Sequence, residues 1–290
     1  MAIEGLGQGP LDYAVCTYGA SRLRCRGPRR HLDGGDYVAV LGGIETFGRF
    51  IEQPYPDLVE VALGVKCVNL GVPHTGLDAW LADEIFLDIC AGARVTVIAV
   101  PGAHMLRNRF YTLHTRRNDR VVRQTEFLER VYPDLDLSQN FFVRHLLADL
   151  AAKSERRFAL IRTELQSLWI SRMNQLCARI GGDVVLVWLG ERSPDAGGNL
   201  PDDGDPPLVT REMLRALRGR IKATIEVIDA SDTREAALEA KVFAPHEAEA
   251  AQRVPGPLAH ARVAETVARV LRSQLDLKGP AGPRLQRRSA

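Results

Sequence analysis

Five short apolar runs, separated by helix-like segments, constrain the fold of this chain more than any other feature. Each run is rich in Val, Ile and Leu and nearly continuous, which is typical of parallel strands buried on both faces. The runs are Tyr37–Leu41, Val65–Leu70, Val95–Val100, Val184–Leu189 and Thr224–Ile228. The alternation of strand and helix predicts an α/β fold, a three-layer doubly wound sheet of five parallel strands in the order 2-1-3-4-5.

Helical patterns lie between and after these strands. The predicted helices are Asp57–Leu63, Leu77–Cys90, Ser138–Ala152, Glu155–Ile180, Thr210–Lys222 and Gly256–Leu275. The chain of 290 residues suits one large domain. We expect a single domain over residues 1–275, with an N-terminal extension (1–36), an insertion between strands three and four (101–180) and a disordered tail (276–290). Within the extension, Val15–Tyr18 and Arg22–Arg26 could pair as a hairpin.

Composition excludes several classes of partner. The net charge of +2 does not favour nucleic acid as a partner. No apolar run reaches the roughly 18 residues of a membrane span, and the start of the chain has no secretory pattern, so we expect no membrane partner. The five cysteines are odd in number and include no Cys-x-x-Cys pair, which indicates reduced, mostly buried thiols and a cytoplasmic protein.

The predicted topology places a ligand site at one edge of the sheet. In an open parallel sheet, ligands bind beyond the carboxyl ends of the strands, where the strand order reverses. The loops that follow the first three strands are therefore the candidates, and they cover residues 42–48, 69–76 and 101–110. Glycine-rich turns of this kind can also be simple strand-to-helix connections, in which Glu45 and Thr46 only satisfy the start of a helix.

These loops resemble motifs of the SGNH (GDSL-like) hydrolases. Gly42–Gly48 is similar to their first block, Gly-Asp-Ser-x-Thr-x-Gly, and Asn69-Leu70-Gly71 with Gly76 to the second, which supplies an oxyanion-hole glycine. Gly102-Ala103-His104 stands where the third block has Gly-x-Asn, and His260 stands where the last has Asp-x-x-His. The resemblance implies a flavodoxin-like or SGNH-like sheet. It also implies that His260 is a candidate base and that the backbone of Gly43, Ile44, Gly71 and Gly76 contacts the ligand.

The departures from that pattern matter as much as the matches. Ile44 occupies the nucleophile position and cannot attack a substrate. Thr46 is the alternative nucleophile, but threonine is a normal residue in the first turn of a helix. Gly43 replaces the aspartate of the first block, His104 replaces the oxyanion asparagine, although Asn108 lies nearby, and Pro257 replaces the triad aspartate. Backbone N–H groups could still stabilise developing charge without a serine.

A second resemblance covers nearly the whole chain, up to about Leu275. The stretches 41–46, 108–112, 114–119 and 144–147 are similar to a bacterial family, found largely in alphaproteobacteria, that is defined as a domain of unknown function. This resemblance implies no particular activity.

Histidines and arginines complete the candidate site. His74 and His104 lie on loops predicted to flank the cleft, and with His260 they could form a metal site, but no carboxylate spacing supports one, so we expect no metal and no cofactor. The insertion carries Arg107, Arg109, Arg116 and Arg117, a composition that suits phosphate, sulfate or carboxylate groups. The alternative is a solvated basic loop paired with the acidic stretch 202–205.

Two functions remain open from the sequence. The first is an SGNH-like hydrolase or acyl-transfer scaffold without its serine, weak or inactive as an esterase, that binds an anionic or sugar-like small molecule over strands one to three. The second is a non-catalytic protein that binds an anionic ligand or an acidic partner through the insertion from Arg107 to Arg123. Group transfer from a phosphate- or sulfate-bearing donor, with His104 or His260 as base, is a weaker third hypothesis, because no phosphate-binding loop motif is present.

Overall fold

A computed structural model describes residues 10–136, 138–217, 219–229 and 238–274. In chain order, the strands are β1 (Tyr37–Gly42), β2 (Lys66–Gly71), β3 (Val95–Ala99), β4 (Tyr111–Leu113), β5 (Val121–Gln124), β6 (Val184–Gly190) and β7 (Ala223–Ile228). β1, β2, β3, β6 and β7 form one parallel sheet in the order β2-β1-β3-β6-β7. The five predicted strands and their order are therefore confirmed.

The helices cover both faces of this sheet. They are α1 (Ile44–Phe47), α2 (Tyr55–Leu63), α3 (Leu77–Leu81), α4 (Glu84–Ala91), α5 (Glu126–Val131), α6 (Val143–Lys153), α7 (Glu155–Ile180), α8 (Arg211–Arg215), α9 (Ala248–Gln252) and α10 (Pro257–Gln274). Alternate residues of the strands point to opposite layers. Ala39 and Leu41 of β1 join the core beneath α3, α4 and α7, whereas Val38 and Val40 join the core beneath α2 and α10. The predicted three-layer arrangement is confirmed.

Local residues explain where the helices begin and end. α7 has the predicted bounds, because the Ser154 hydroxyl caps its start and Gly181, at φ 67°, ends it in the left-handed conformation. The predicted helix Leu77–Cys90 is interrupted, because Asp83 accepts a hydrogen bond from the Phe86 N–H at 3.1 Å and starts a new helix, α4.

Other segments are shorter or more ordered than predicted. The helix expected over 210–222 reduces to α8, and Gly219, a poor helix former, lies beyond its end. The helix expected from Ser138 begins only at Val143. The predicted hairpin in the extension is limited to one antiparallel bridge between Cys16 and Cys25. The tail 276–290 lies outside the described residues.

The first part of the insertion forms a small substructure of its own. Within it, β4 and β5 pair as an antiparallel ribbon, and α5 follows directly. Arg120 bridges to Phe142, and the N–H of Val143, the first residue of α6, donates to the Asp119 carbonyl at 2.9 Å. These contacts hold the ribbon against the start of α6. Of the helices in the described ranges, none combines the length and the apolar character that crossing a bilayer requires.

Candidate ligand-binding cleft

A cleft of about 1370 Å³ lies over the carboxyl ends of the sheet strands. Its walls include the residues after β1 (Gly43 to Glu45), the loop after β3 (Val100 to Met105), the end of β6 (Val187 to Glu191) and the start of α6. The strand order reverses between β1 and β3, so the cleft lies at the switch point where α/β sheets bind ligands. The loops after β1, β2 and β3 all contribute to it, because His74 and Thr75 also line the cleft.

The turn after β1 delivers Ile44 to this cleft. A side chain on Gly42 would place its Cβ 1.9 Å from the Thr46 Oγ1, so the turn needs glycine there. Ile44, half-buried, lines the cleft at the start of α1. The Glu45 carboxylate accepts a hydrogen bond from the Gly43 N–H at 2.7 Å, and burial, reinforced by the nearby Asp205, raises the pKa of Glu45. The turn therefore presents a hydrocarbon and a carboxyl group to a ligand, and no hydroxyl.

Thr46 and Gly71 face the interior. The Thr46 hydroxyl is buried and hydrogen-bonded to the Tyr55 hydroxyl at 2.8 Å. The Gly71 N–H donates to the Asn69 Oδ1 at 2.8 Å, and Gly71 packs directly against the backbone of α1. Thr46 is thus no substitute nucleophile in this conformation, and the Gly71 N–H already has an acceptor.

Gly76 and Asn108, which also belong to the motif loops, have internal partners. The Gly76 N–H donates to the Asn118 Oδ1 at 2.9 Å. The Asn108 side chain donates to the Leu106 carbonyl and accepts from the N–H groups of Phe110 and Tyr111. Asn108 therefore shapes the turn before β4, and neither residue lines the cleft.

His74 and Asp119 form a close pair in the wall of the cleft. The His74 Nδ1 lies 3.2 Å from the Asp119 Oδ2, and both residues line the cleft. Arg117 holds the same carboxylate, with its Nη2 3.0 Å from Oδ2 and its Nε 3.3 Å from Oδ1. Burial raises the pKa of Asp119, but the hydrogen bonds and charges of His74 and Arg117 outweigh this effect, and the net result is a lowered pKa. Asp119 is therefore ionised and orients the imidazole.

The backbone of His74 is strained. Its φ is 65°, in the left-handed region that non-glycine residues rarely adopt. Such strain is maintained only where surrounding contacts enforce it, and it concentrates at functional sites. In this case the strained backbone places the imidazole beside Asp119.

His104 is the second histidine of the cleft. It is 6% exposed, and its Nδ1 is a buried side-chain nitrogen without a hydrogen-bond partner in the described structure. Burial lowers the pKa of His104 well below its usual value, and the charge of Arg144 lowers it further, so the ring is neutral. An unpaired buried nitrogen is costly, and a ligand that fills the cleft could remove the cost.

His260 is buried and does not line the cleft. Its Nδ1 accepts a hydrogen bond from the Tyr55 N–H at 3.0 Å, and its ring packs 5.8 Å from the Tyr55 ring. Burial lowers the pKa of His260 to about 3, and the charges of Lys241 and Arg26 act in the same direction. The structure does not bring His260 together with His74 and His104. In this position it tethers α10 to the start of α2.

This burial predicts a pH dependence of folding. Histidine titrates near 6.5 in the unfolded chain, so between about pH 6.5 and 3 the unfolded state binds the extra proton and stability falls as pH falls. His260 can change the free energy of unfolding by at most about 1.4 kcal/mol per pH unit. His260→Gln can retain an acceptor for the Tyr55 N–H. We expect urea unfolding to show that this variant loses less stability than wild type between about pH 6 and 4. Buried His104 adds a pH dependence of the same sign to wild type and to His260→Gln, so it does not affect their comparison. His31→Gln, at an exposed position, serves as the control. Equal pH slopes in wild type and His260→Gln would contradict the buried, neutral state.

The predicted arginine cluster does not converge on the cleft. Arg109 pairs with Glu164 and stacks on the rings of Phe110 and Phe127. Arg117 holds Asp119, and Arg116 lines a separate groove beside Arg22 and α3. Arg107 is exposed. In the described part of the chain, the lining of the cleft includes none of Arg107, Arg109, Arg116 and Arg117.

Acidic side chains dominate the cleft instead. The carboxylates that line it are those of Glu45, Asp119, Glu191, Asp202, Asp205, Asp229 and Glu249. Each arginine that lines it in the described ranges has a carboxylate partner: Arg49 pairs with Glu247, Arg144 with Asp205 and Arg253 with Glu249. Within the described ranges, no group of three or more His, Cys, Asp or Glu side chains is arranged to hold a metal ion.

Several residues of the cleft could not be predicted from the sequence. Asp119 is one of them, because its distance from His74 along the chain gives no spacing signal. Phe142 directly precedes α6, and Arg144 and His145 lie in its first turn, within the predicted insertion 101–180. The available signal in the sequence was the polar stretch from His114 to Asp119, which closely follows the aromatic residues Phe110 and Tyr111.

Comparison with known protein families matches this chain over residues 1–275 to a family described as "Domain of unknown function (DUF6473)". The chain belongs to this family, so the resemblance to a domain of unknown function is confirmed. A search of curated proteins finds no match.

Proposed function

We propose that this protein binds a neutral, polyhydroxylated, sugar-like small molecule in the cleft, and that the His74–Asp119 pair acts on one of its hydroxyl groups. The observation that carries the proposal is the close contact of the His74 imidazole with the Asp119 carboxylate at the switch point of the sheet. Asp–His pairs with an ionised carboxylate orient the imidazole and stabilise its protonated form.

The charge of the cleft supports a neutral ligand over an anionic one. Each arginine of the described lining already pairs with a carboxylate, so a phosphate or sulfate group would have to compete with that carboxylate for the arginine. Carboxylates, by contrast, accept hydrogen bonds from ligand hydroxyl groups. Phe142 is 37% exposed and lines the cleft, and its ring offers an apolar face to the C–H groups of a sugar.

The proposed chemistry follows from the surroundings of His74 and His104. A proton on the His74 Nδ1, directed at the Asp119 carboxylate, leaves the lone pair of His74 on Nε2. A ligand hydroxyl that donates to Nε2 becomes a better nucleophile, and Asp119 stabilises the imidazolium that forms after proton transfer. The unpaired Nδ1 of His104 supplies a second polar contact that orients the ligand.

The SGNH-like layout is part of the proposal, without its serine chemistry. The strand order and the glycine turn that brings Ile44 into the cleft support the layout. Ile44 cannot form an acyl-enzyme, and His260 is buried with its Nδ1 engaged. We therefore expect no labelling by a fluorophosphonate probe. Labelling of any serine or threonine in the cleft would contradict this expectation, and Ile44→Ser tests whether the position accepts a nucleophile.

A thermal-shift screen tests ligand binding directly. A ligand at about 100 times its Kd adds about 2.7 kcal/mol of stability, and each kcal/mol corresponds to about 2–4 °C in Tm at this size. We expect neutral sugars and polyols to raise Tm and the matching sugar phosphates to have less effect. His74→Gln should lose most of the shift, whereas His31→Gln, at an exposed position outside the cleft, should retain it.

The same screen can reject the proposal. A larger shift with sugar phosphates, lost on Arg109→Ala, would favour the alternative site on the insertion. No shift with any sugar, polyol or sugar phosphate would contradict the proposed ligand class. The cytoplasmic location inferred from the cysteine pattern stays a prediction.

A further inference from the structure

Two of the five cysteines face each other across the antiparallel bridge of the N-terminal extension. Cys16 and Cys25 exchange both backbone hydrogen bonds, at 3.1 and 3.0 Å, and their sulfur atoms are 3.8 Å apart. Directly opposed residues of this kind have Cα atoms about 5.5 Å apart, which lies in the range of disulfides, about 4.4–6.8 Å. A rotation of the two side chains, with little movement of the backbone, can therefore join the sulfur atoms.

The two thiols differ in environment and therefore in chemical role. Cys16 is partly exposed, whereas Cys25 is fully buried. The hydrogen bond from Cys25 lowers the pKa of Cys16 to about 7 against the effect of burial, and Arg29 contributes in the same direction. The same pairing, together with burial, raises the pKa of Cys25. Cys16 has the properties of an attacking thiolate and Cys25 those of a thiol that reacts only with its neighbour.

We propose that Cys16 and Cys25 form a reversible oxidation site that reacts with low-molecular-weight disulfides such as oxidised glutathione. The Cys16 thiolate attacks one sulfur of the small disulfide, the S–S bond breaks, and one thiolate leaves. Cys25 then loses its proton and attacks the Cys16 sulfur, which releases the second thiolate. Two protein thiols are oxidised to one disulfide, the small disulfide is reduced to two thiols, and these take up the two protons.

The position of the pair connects it to the turn that carries Ile44. Arg26 follows Cys25 directly, and its buried guanidinium donates to the carbonyls of Phe47, Gly48, Ile51 and Glu52. The Tyr13 hydroxyl accepts from the Phe50 N–H at 3.1 Å. A disulfide between residues 16 and 25 closes a short loop in this anchoring segment, and closure of such a loop raises Tm by several degrees.

The test uses the full-length protein treated with oxidised glutathione. We expect intact mass to fall by the mass of two hydrogen atoms, and the titratable thiols in denaturant to fall from five to three. Tryptic peptides should show the Cys16–Cys25 link, Tm should rise, and reduction should reverse every change. The initial rate should increase with pH through about 7, as the Cys16 thiolate forms.

Single variants separate the two roles. Cys25→Ser should retain one glutathione on Cys16, because no second thiol can displace it, and Cys16→Ser should retain none. Cys177→Ala, which removes a thiol on α7, should react as wild type does. Five free thiols after treatment, a link between other cysteines, or a stable glutathione adduct on wild-type Cys16 would each overturn the proposal. These outcomes do not depend on the ligand of the cleft.

Discussion

Replacement of Arg26 by alanine is expected to destabilise the protein by about 3–5 kcal/mol, because several buried carbonyls lose their donor at once. Arg26 is 5% exposed, and its guanidinium donates to carbonyls at 2.9 to 3.4 Å in the segment directly after α1. The rings of Tyr13 and Phe47 cover the guanidinium at 5.1 and 6.0 Å. The variant therefore loses hydrogen bonds and packing together.

Urea unfolding of matched variants measures this effect. Arg24→Ala, at an exposed position two residues earlier, should change stability by less than about 0.5 kcal/mol. Arg26→Lys should be intermediate in stability, because an ammonium group keeps the charge but cannot donate to carbonyls on several sides as a planar fork can. A loss below about 1 kcal/mol for Arg26→Ala would show that the extension is not anchored in this way.

Gly71→Ala is the second substitution with a large expected effect. An added Cβ would lie 2.2 Å from the Phe47 backbone N, and backbone atoms of α1 cannot move aside as a flexible side chain can. Relief requires displacement of α1, so we expect a loss of at least about 3 kcal/mol or failure to fold. Gly182→Ala provides the control, because an added Cβ there meets nothing within 4 Å.

The comparison of these two variants tests the packing of α1 on β2. If Gly71→Ala proves as stable as Gly182→Ala, the close approach of β2 and α1 is wrong. If Gly71→Ala folds at reduced temperature, its displaced α1 also moves Ile44, and ligand-induced stabilisation should fall with it.

The sheet could be predicted from sequence because its signals are local. Runs such as Val184–Leu189 are continuous because both faces are buried, and the alternation with helices restricts the topology to a few arrangements. The interruption at Asp83 was missed because apolar periodicity continues through it, and the cap depends on a single side chain. The β4–β5 ribbon was not predicted, because both strands are short and β5 is partly exposed.

The position of the candidate site was predictable from the sequence, but most of the residues that line it were not. The switch point follows from strand order alone, and His74, His104 and Ile44 lie on its loops. The pairing of His74 with Asp119 depends on how the insertion folds back, which no local pattern encodes. The arginine-rich composition of the insertion suggested an anion site. In the structure, Arg117 pairs with Asp119 and Arg109 pairs with Glu164. His260 matched a motif position, yet the depth of its burial is a tertiary property.

The position of the ring proton on His74 is the decisive test of the proposed His74–Asp119 pair. Nitrogen-15 NMR of the ligand-free protein can distinguish a proton on Nδ1 from one on Nε2, and His74→Gln identifies the signal. We expect a proton on Nδ1, directed at Asp119, and loss of that preference in Asp119→Asn. A proton on Nε2, or a spectrum that Asp119→Asn leaves unchanged, would contradict it.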